Sequence, residues 1–223
     1  ALGLNRHFPR ALLHAPAGRG GLGIPKLAWK KFTAQLTLSL KHLRTATTVG
    51  HKLTISLTYT QLECGLGIPF FQASHTMFSP LVTKTFFTHI WAQCEQYEVL
   101  LRCVESAHWC PPLITSHDQY IMEQAQRYYT KTKLQFINQC RLFLQVITVA
   151  DIVTLDGSRI LPEAFRVQPL PGRKSTITWP TITRPTQRAI HIWQKFLRQC
   201  VGETVPYTPL GERLPTKHHQ CSL

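Results

Sequence analysis

Acidic residues are scarce in this chain and unevenly placed. Its 223 residues include 11 Asp and Glu against 25 Lys and Arg, for a net charge of +14 and a pI near 9.8. The first acid is Glu63, and none falls between Glu163 and Glu203. Only three Asp occur, at positions 118, 151 and 156, and none adjoins another acid. Two-metal phosphoryl transfer needs paired carboxylates to hold its cations, so the sequence argues against a complete site of that kind. An apolar run of 18 residues is missing, which argues against a spanning helix. An initiator Met and a signal-peptide pattern are missing too. The chain opens on Ala1 inside Gly- and Pro-rich sequence and reads as a piece of a longer protein.

Other absences narrow the chemistry. The seven Cys are scattered and odd in number, which suits buried free thiols in a reducing, intracellular compartment, nuclear or cytoplasmic, better than a disulfide framework. The stretch Gly18-Arg-Gly-Gly-Leu-Gly23 lacks the Gly-Lys-Ser/Thr ending of a phosphate loop and has no clear strand before it, so it reads as a flexible turn. Cys103, His108, Cys110 and His117 have a spacing that fits no common zinc pattern, and His218, His219 and Cys221 form a weaker cluster. No Ser or Cys carries a local nucleophile signature. No cofactor or metal is therefore expected in the chain itself.

What is present is positive charge in two blocks. Nine Lys and Arg precede Glu63, and seven lie between Glu163 and Glu203. Residues 63 to 163 hold nine acids and seven bases and are close to neutral. Uncompensated blocks of this sort are the footprint of a polyanion ligand, and a nucleic-acid backbone is the commonest one. An anionic membrane surface is the rival polyanion.

The hydrophobic pattern predicts a mainly α fold, an irregular helical bundle with one short β-hairpin. Residues 1–28 read as an extended Gly/Pro-rich lead-in. Residues 29–150 read as a helical core. Within it, Trp29, Phe32, Leu36, Leu40 and Leu43 recur at helical spacing over 29–44, with Lys30, Lys41 and Arg44 on the other face. Residues 50–63 lean to helix, and a helix is expected over 83–102 with Phe86, Phe87, Ile90, Trp91, Cys94, Tyr97 and Leu101 inward. Ser116 and Gln119 form a Ser-x-x-Gln signature opening a helix that reaches about Tyr129. The 132–149 helix should be the buried centre, with Phe143 and Ile147 in the core and Asn138, Arg141 and Gln145 as its one polar stripe.

Residues 151–183 read as a hairpin turning at Asp156-Gly157 followed by an extended Pro-rich segment anchored by Trp179. Residues 184–202 read as a basic amphipathic helix with Pro185 in its first turn. Ile190, Trp193 and Leu197 form its packing stripe, and Arg188, His191, Lys195 and Arg198 lie on another face. Residues 203–223 read as a disordered tail. The pentapeptide Gly-Leu-Gly-Ile-Pro occurs at 21–25 and again at 65–69, which is too little to establish a repeat architecture.

Several runs together resemble a known family. Residues 2–16, Leu-Gly-Leu-Asn-Arg-His-Phe-Pro-Arg-Ala-Leu-Leu-His-Ala-Pro, then Gly-Gly-Leu-Gly-Ile at 20–24 and His42-Leu43-Arg44, are similar to the segment after the palm in reverse transcriptase polyproteins of eukaryotic non-LTR-type retroelements. So are Ile137-Asn-Gln-Cys-Arg-Leu-Phe-Leu-Gln145, Asp151-Ile-Val-Thr-Leu-Asp-Gly157, and the pattern Trp179-Pro180, Pro185, Trp193. The resemblance covers nearly the whole chain and lies in the order of these motifs. It implies a thumb-like region that holds template and primer, with an upstream palm domain as partner. The family's aromatic-x-Asp-Asp signature is absent, so Mg²⁺ and catalysis would belong to that palm. The expected ligand is an RNA or DNA backbone, gripped by Lys30, Lys41, Arg44, Arg188, His191, Lys195 and Arg198 with little base specificity. A helical structural or protein-interaction domain with an incidental basic surface is the alternative.

Overall fold

The computed structural model describes residues 8–45, 47–101, 113, 115–154, 159–170, 178–180 and 182–201. The protein is mainly helical. Its α-helices are α1 (Arg10–His14), α2 (Leu27–Arg44), α3 (Thr48–Cys64), α4 (His75–Phe78), α5 (Phe86–Gln96), α6 (Ile121–Tyr128), α7 (Lys131–Leu144), α8 (Pro162–Arg166) and α9 (Gln187–Phe196). The chain divides into two compact units, 1–54 and 55–223, with the boundary inside α3.

The first unit is built around α2. No acid stands in its first turn and no side chain caps it, but Lys41, His42 and Arg44 occupy its last turn, where cations offset the partial negative charge of unpaired carbonyls. Only Phe32 and Ser39 of this helix are buried. The apolar face expected at Trp29, Phe32, Leu36, Leu40 and Leu43 is thus incompletely covered. Trp29 is 40% exposed and leans on Phe32 with ring centroids 5.6 Å apart, while Leu36 and Leu43 are half-buried and Leu40 is exposed. The lead-in that shares this unit carries the short α1 and a 3₁₀ turn, Ala17–Arg19, rather than being extended throughout. Neither contributes a buried residue.

The second unit has α7 at its centre. Leu134, Ile137, Cys140, Leu142 and Leu144 are buried on it, and α6, α9 and the 3₁₀ turn Ser79–Leu81 pack against it. The helix ends earlier than its apolar pattern suggests, because Gln145 turns left-handed at φ 58°. Phe143 is consequently half-buried, and Ile147 is buried but lies beyond the helix.

The expected polar stripe on α7 is a larger departure. Gln145 is exposed, but Asn138 and Arg141 are buried, Arg141 completely. The guanidinium reaches the end of α3. Nη2 donates to the carbonyls of Leu62 at 2.8 Å and Glu63 at 2.9 Å, and Nη1 to Val146 at 3.3 Å. Asn138 Oδ1 accepts from Arg141 Nε at 2.9 Å and Nη2 at 2.7 Å, while Asn138 Nδ2 donates to Glu63 O at 3.1 Å. The last carbonyls of a helix have no partner within it, and here a cation and an amide from a helix far along the chain supply one. Gly65 completes the arrangement with φ +65°, a left-handed conformation suited to glycine after a helix. A Cβ there would stand 2.7 Å from the Arg141 Cζ.

The repeated pentapeptide is not a repeated structure. In its second copy the first glycine, Gly65, has positive φ, and in its first copy the second glycine, Gly23, does. Gln61 ties down the second copy. Its Nε2 donates to Leu66 O and Ile68 O, and its Oε1 accepts from Phe70 N.

Other boundaries move for local reasons. Helix α5 starts at Phe86 because Thr85 and Thr88 form a reciprocal capping box, which is shorter than the 83–102 helix expected. Phe86 faces outward, whereas Phe87, Ile90, Trp91 and Cys94 are buried. The Ser116–Gln119 box does not form. Asp118 Oδ1 accepts instead from Gln119 N at 2.8 Å and Ala150 N at 2.9 Å, and α6 begins at Ile121 without a side-chain cap. The β-hairpin is not present as strands. Among the described residues the segment has one isolated antiparallel bridge, Val153 with Ile160, after a 3₁₀ turn, Val149–Ile152, held by Asp151 Oδ2, which accepts from Ile147 N and Thr148 N. The Asp156-Gly157 turn itself lies outside the described residues, as do 171–177 of the Pro-rich segment and the 203–223 tail.

Candidate nucleic-acid interface

Helix α9 starts on Thr186, whose hydroxyl accepts from Ala189 N at 3.3 Å, so Pro185 precedes the helix instead of opening its first turn. The helix continues as a π-helical turn, Leu197–Val201. Ala189, Ile190, Trp193, Phe196 and Leu197 are all buried. Trp193 is fully enclosed, and its indole Nε1 donates to Ala164 O of α8 at 2.9 Å, which satisfies the one polar atom the ring carries. The packing stripe read from the sequence is therefore the face that anchors the helix.

Arg188, His191, Lys195 and Arg198 are all exposed. Two of them are braced. The Arg188 guanidinium lies 5.4 Å from the centroid of Phe136 on α7, and that of Arg198 lies 5.0 Å from Phe165 on α8. A guanidinium held over a ring gains about 0.5–1 kcal/mol at an exposed site. Arg188 and Lys195 stand seven residues apart, or about 10 Å along the axis.

On α2, Lys30, Lys41 and Arg44 are exposed as well. Eleven residues separate Lys30 from Lys41, about 16 Å along one face. No aromatic ring braces them among the described residues. None of Lys30, Lys41, Arg44, Arg188, His191 and Lys195 is ion-paired among the described residues. The structure thus places each expected group of cations on the solvent face of a single helix, one helix in each unit.

The acids have other employment, which the sequence did not reveal. Of the seven described acids, five accept hydrogen bonds from backbone N–H groups, so they stabilise turns and helix ends instead of offsetting the basic faces. Glu63 receives Thr83 N at 2.9 Å and Thr83 Oγ1 at 2.6 Å. Glu95 receives Thr76 N and Thr76 Oγ1 ahead of α5. Glu123 receives Gly67 N at 2.8 Å. Asp151 receives Ile147 N at 2.7 Å and Thr148 N at 3.0 Å. Burial raises the Glu63 carboxyl above its ordinary range, against the lowering effect of the Thr83 hydrogen bonds and the nearby Arg141 charge. Burial lowers Arg141 to about 10, which still leaves it a cation at neutral pH.

The glycine-rich lead-in is occupied too. The N–H groups of Arg19, Gly20, Gly21, Leu22, Gly23 and Ile24 donate to carbonyls between Leu12 and Ala17. A phosphate loop needs such N–H groups free, so this stretch is a self-bonded turn. Among the described residues no group of three or more His, Cys, Asp or Glu could hold a metal ion. The Cys103, His108 and Cys110 positions and the His218, His219, Cys221 cluster lie outside the described residues. Cys64, Cys94 and Cys140 are buried free thiols. Burial pushes Cys94 up to about 11 and Cys140 to about 12, so neither is a ready thiolate nucleophile.

Compared with protein-family models, curated proteins and solved structures, the chain matches none. No described helix is long and apolar enough to cross a membrane.

Proposed function

We propose that this chain is a non-catalytic, nucleic-acid-binding segment of a reverse transcriptase-like retroelement protein, acting inside the cell, in nucleus or cytoplasm. It grips the backbone of RNA or DNA through basic helices, while the Asp-Asp site and its Mg²⁺ belong to a palm domain elsewhere in the parent protein. The observation that carries the reading is α9. Its apolar face is buried through Trp193, and its opposite face offers Arg188, His191, Lys195 and Arg198 to solvent in a stretch of sequence without an acid. Contacts of this kind follow the phosphate chain and carry little sequence information.

The test is the salt dependence of binding. Each phosphate contact removed lowers the slope of log affinity against log salt by about 0.7 to 0.9. Changing Arg188, Lys195 and Arg198 together to Gln should therefore reduce the slope by roughly two to three units, equally for unrelated sequences. The same change at Lys30, Lys41 and Arg44 measures the α2 face. If neither triple variant alters affinity or slope, the basic faces do not hold nucleic acid.

A second reading, a protein-interaction domain, is favoured by one specific feature of α2. Leu27 is 81% exposed and Leu38 57% exposed. Exposed leucines interleaved with Lys30, Lys31 and Lys41 suit a protein partner better than a phosphate backbone. Retained nucleic-acid affinity in the α2 triple variant, with loss in the α9 one, would assign the two helices different partners.

A further inference from the structure

We propose that an open hollow in the first unit, lined by Arg10, Ala11, His14, Ala15 and Lys26, is a binding site for a phosphate group. The inference goes beyond the grip proposed for the helical faces and does not need it, because it concerns a discrete site for one anion. The hollow encloses about 570 Å³, within the roughly 300–1,000 Å³ of small-ligand clefts. It is therefore large enough for a phosphate ester as well as for the free ion.

Its lining supplies the chemistry. Arg10 and Lys26 bring two side chains that stay cationic at neutral pH. Neither is ion-paired among the described residues. Residues 1–54 contain nine Lys and Arg and no Asp or Glu, so no acid of this unit can neutralise them. His14 is fixed in place. Its Nδ1 lies 2.6 Å from Ile24 O, and a carbonyl can only accept, so Nδ1 carries the proton. The other nitrogen, Nε2, has no protein partner among the described residues, and on protonation it becomes a third donor. The turn that holds Ile24 is closed by Leu22 N to Leu12 O and Ile24 N to Leu13 O. The ring is thus held by a closed turn on the wall of the hollow. Like charges gathered around an open volume repel one another, and an anion bound among them relieves that repulsion while accepting charge-assisted hydrogen bonds.

The experiment follows the His14 ring signals of the full chain by NMR at constant ionic strength. The titrants are inorganic phosphate, a nucleoside monophosphate and chloride. Saturable shifts with either phosphate compound and none with chloride are expected. Tighter binding of the monophosphate would mark an ester as the ligand, and equal or weaker binding would mark the free ion. Arg10→Gln and Lys26→Gln should each weaken binding about tenfold, as expected for loss of one charge-assisted hydrogen bond. The pair together should abolish it with an unchanged circular dichroism spectrum. Lys195→Gln should leave phosphate binding alone, which separates this site from the α9 face. Shifts that merely follow ionic strength, or saturable binding that survives in the Arg10→Gln/Lys26→Gln variant, would overturn the assignment.

Discussion

Helices α2 and α9 look alike in sequence and differ in structure. Each spaces apolar residues at three and four, sets an aromatic pair, Trp29 and Phe32 or Trp193 and Phe196, in that stripe, and places cations elsewhere. In α9 the stripe is buried, Trp193 wholly so, and two of the cations rest on rings contributed by α7 and α8. In α2 only Phe32 of the apolar stripe is buried. An amphipathic pattern states what a helix can bury. Whether it does so depends on what the rest of its unit has to lay against it, and among the described residues the 1–54 unit has only the start of α3 and a lead-in that turns back on itself.

The comparison predicts a graded set of effects. The largest should separate the two tryptophans. Trp193→Ala should cost about 3–5 kcal/mol in denaturant unfolding, as full-size truncations in a core do, whereas Trp29→Ala should cost under about 1 kcal/mol. Equal losses would mean that α2 is covered as well as α9.

Next comes the joint between α3 and α7. Gly65→Ala forces a Cβ into a left-handed position and against the Arg141 guanidinium, and should cost about 1–3 kcal/mol. Gly18→Ala in the lead-in meets nothing within 4 Å and has no positive φ, so it should change stability by less than about 0.5 kcal/mol. A smaller loss at Gly65 than at Gly18 in urea titrations would contradict the tight junction described.

A pH effect from carboxylates should arise from the second unit alone, since the first has no carboxylate side chain. Burial raises Glu63 in the folded state above its unfolded value, so the folded chain holds that proton more tightly. Its contribution to stability is then fullest below the unfolded value and is lost as pH rises through the raised one. Glu63→Gln should flatten this part of the stability profile measured by thermal unfolding. An unchanged profile would show that Glu63 is not the group responsible.

The smallest effect distinguishes the two sets of cations. Arg188→Gln should lose the contact with Phe136, about 0.5–1 kcal/mol, while Lys41→Gln should be neutral within about 0.5 kcal/mol. Differential scanning calorimetry on matched single variants can resolve the pair. Identical midpoints would remove the difference in bracing between the two faces.

Much of the helical arrangement could be read from spacing. The α9 stripe at Ile190, Trp193 and Leu197 and the apolar centre of α7 are short-range patterns, and local periodicity captures them. The solvent face carrying Arg188, His191, Lys195 and Arg198 follows from the same spacing. Some misreadings are of boundaries set by local caps, as at Thr85 and Gln145, and others are of features whose partners lie far away in sequence. Asn138 and Arg141 resemble a wet stripe until the carbonyls of Leu62 and Glu63 are brought to them. Ser116 and Gln119 have the right spacing for a capping box, yet Asp118 takes the Gln119 amide and also binds Ala150. The hairpin expected over 152–161 leaves one bridge, Val153 with Ile160, and no strand among the described residues, and its Asp156-Gly157 turn lies outside them. The hollow at Arg10, His14 and Lys26 was equally hidden, because its members are 4 and 12 residues apart and meet only after the lead-in bends.

The Arg141 contact also sets an order of events during synthesis. Its guanidinium caps the Leu62 carbonyl from 79 residues downstream. A ribosome delivering the chain from its N-terminus exposes the end of α3 well before α7 emerges, at about 5–20 residues per second. For those seconds the Leu62 and Glu63 carbonyls lack the partners that Arg141 and Asn138 later supply. Gly65 can form its left-handed turn at once, but the residues after it acquire their long-range support only when α7 docks. Pairings this distant are slow to form because loop closure precedes any reward. A nascent chain halted before residue 141 should therefore show α3 frayed at its C-terminal turn, with protease access at 62–66 that disappears once α7 is complete.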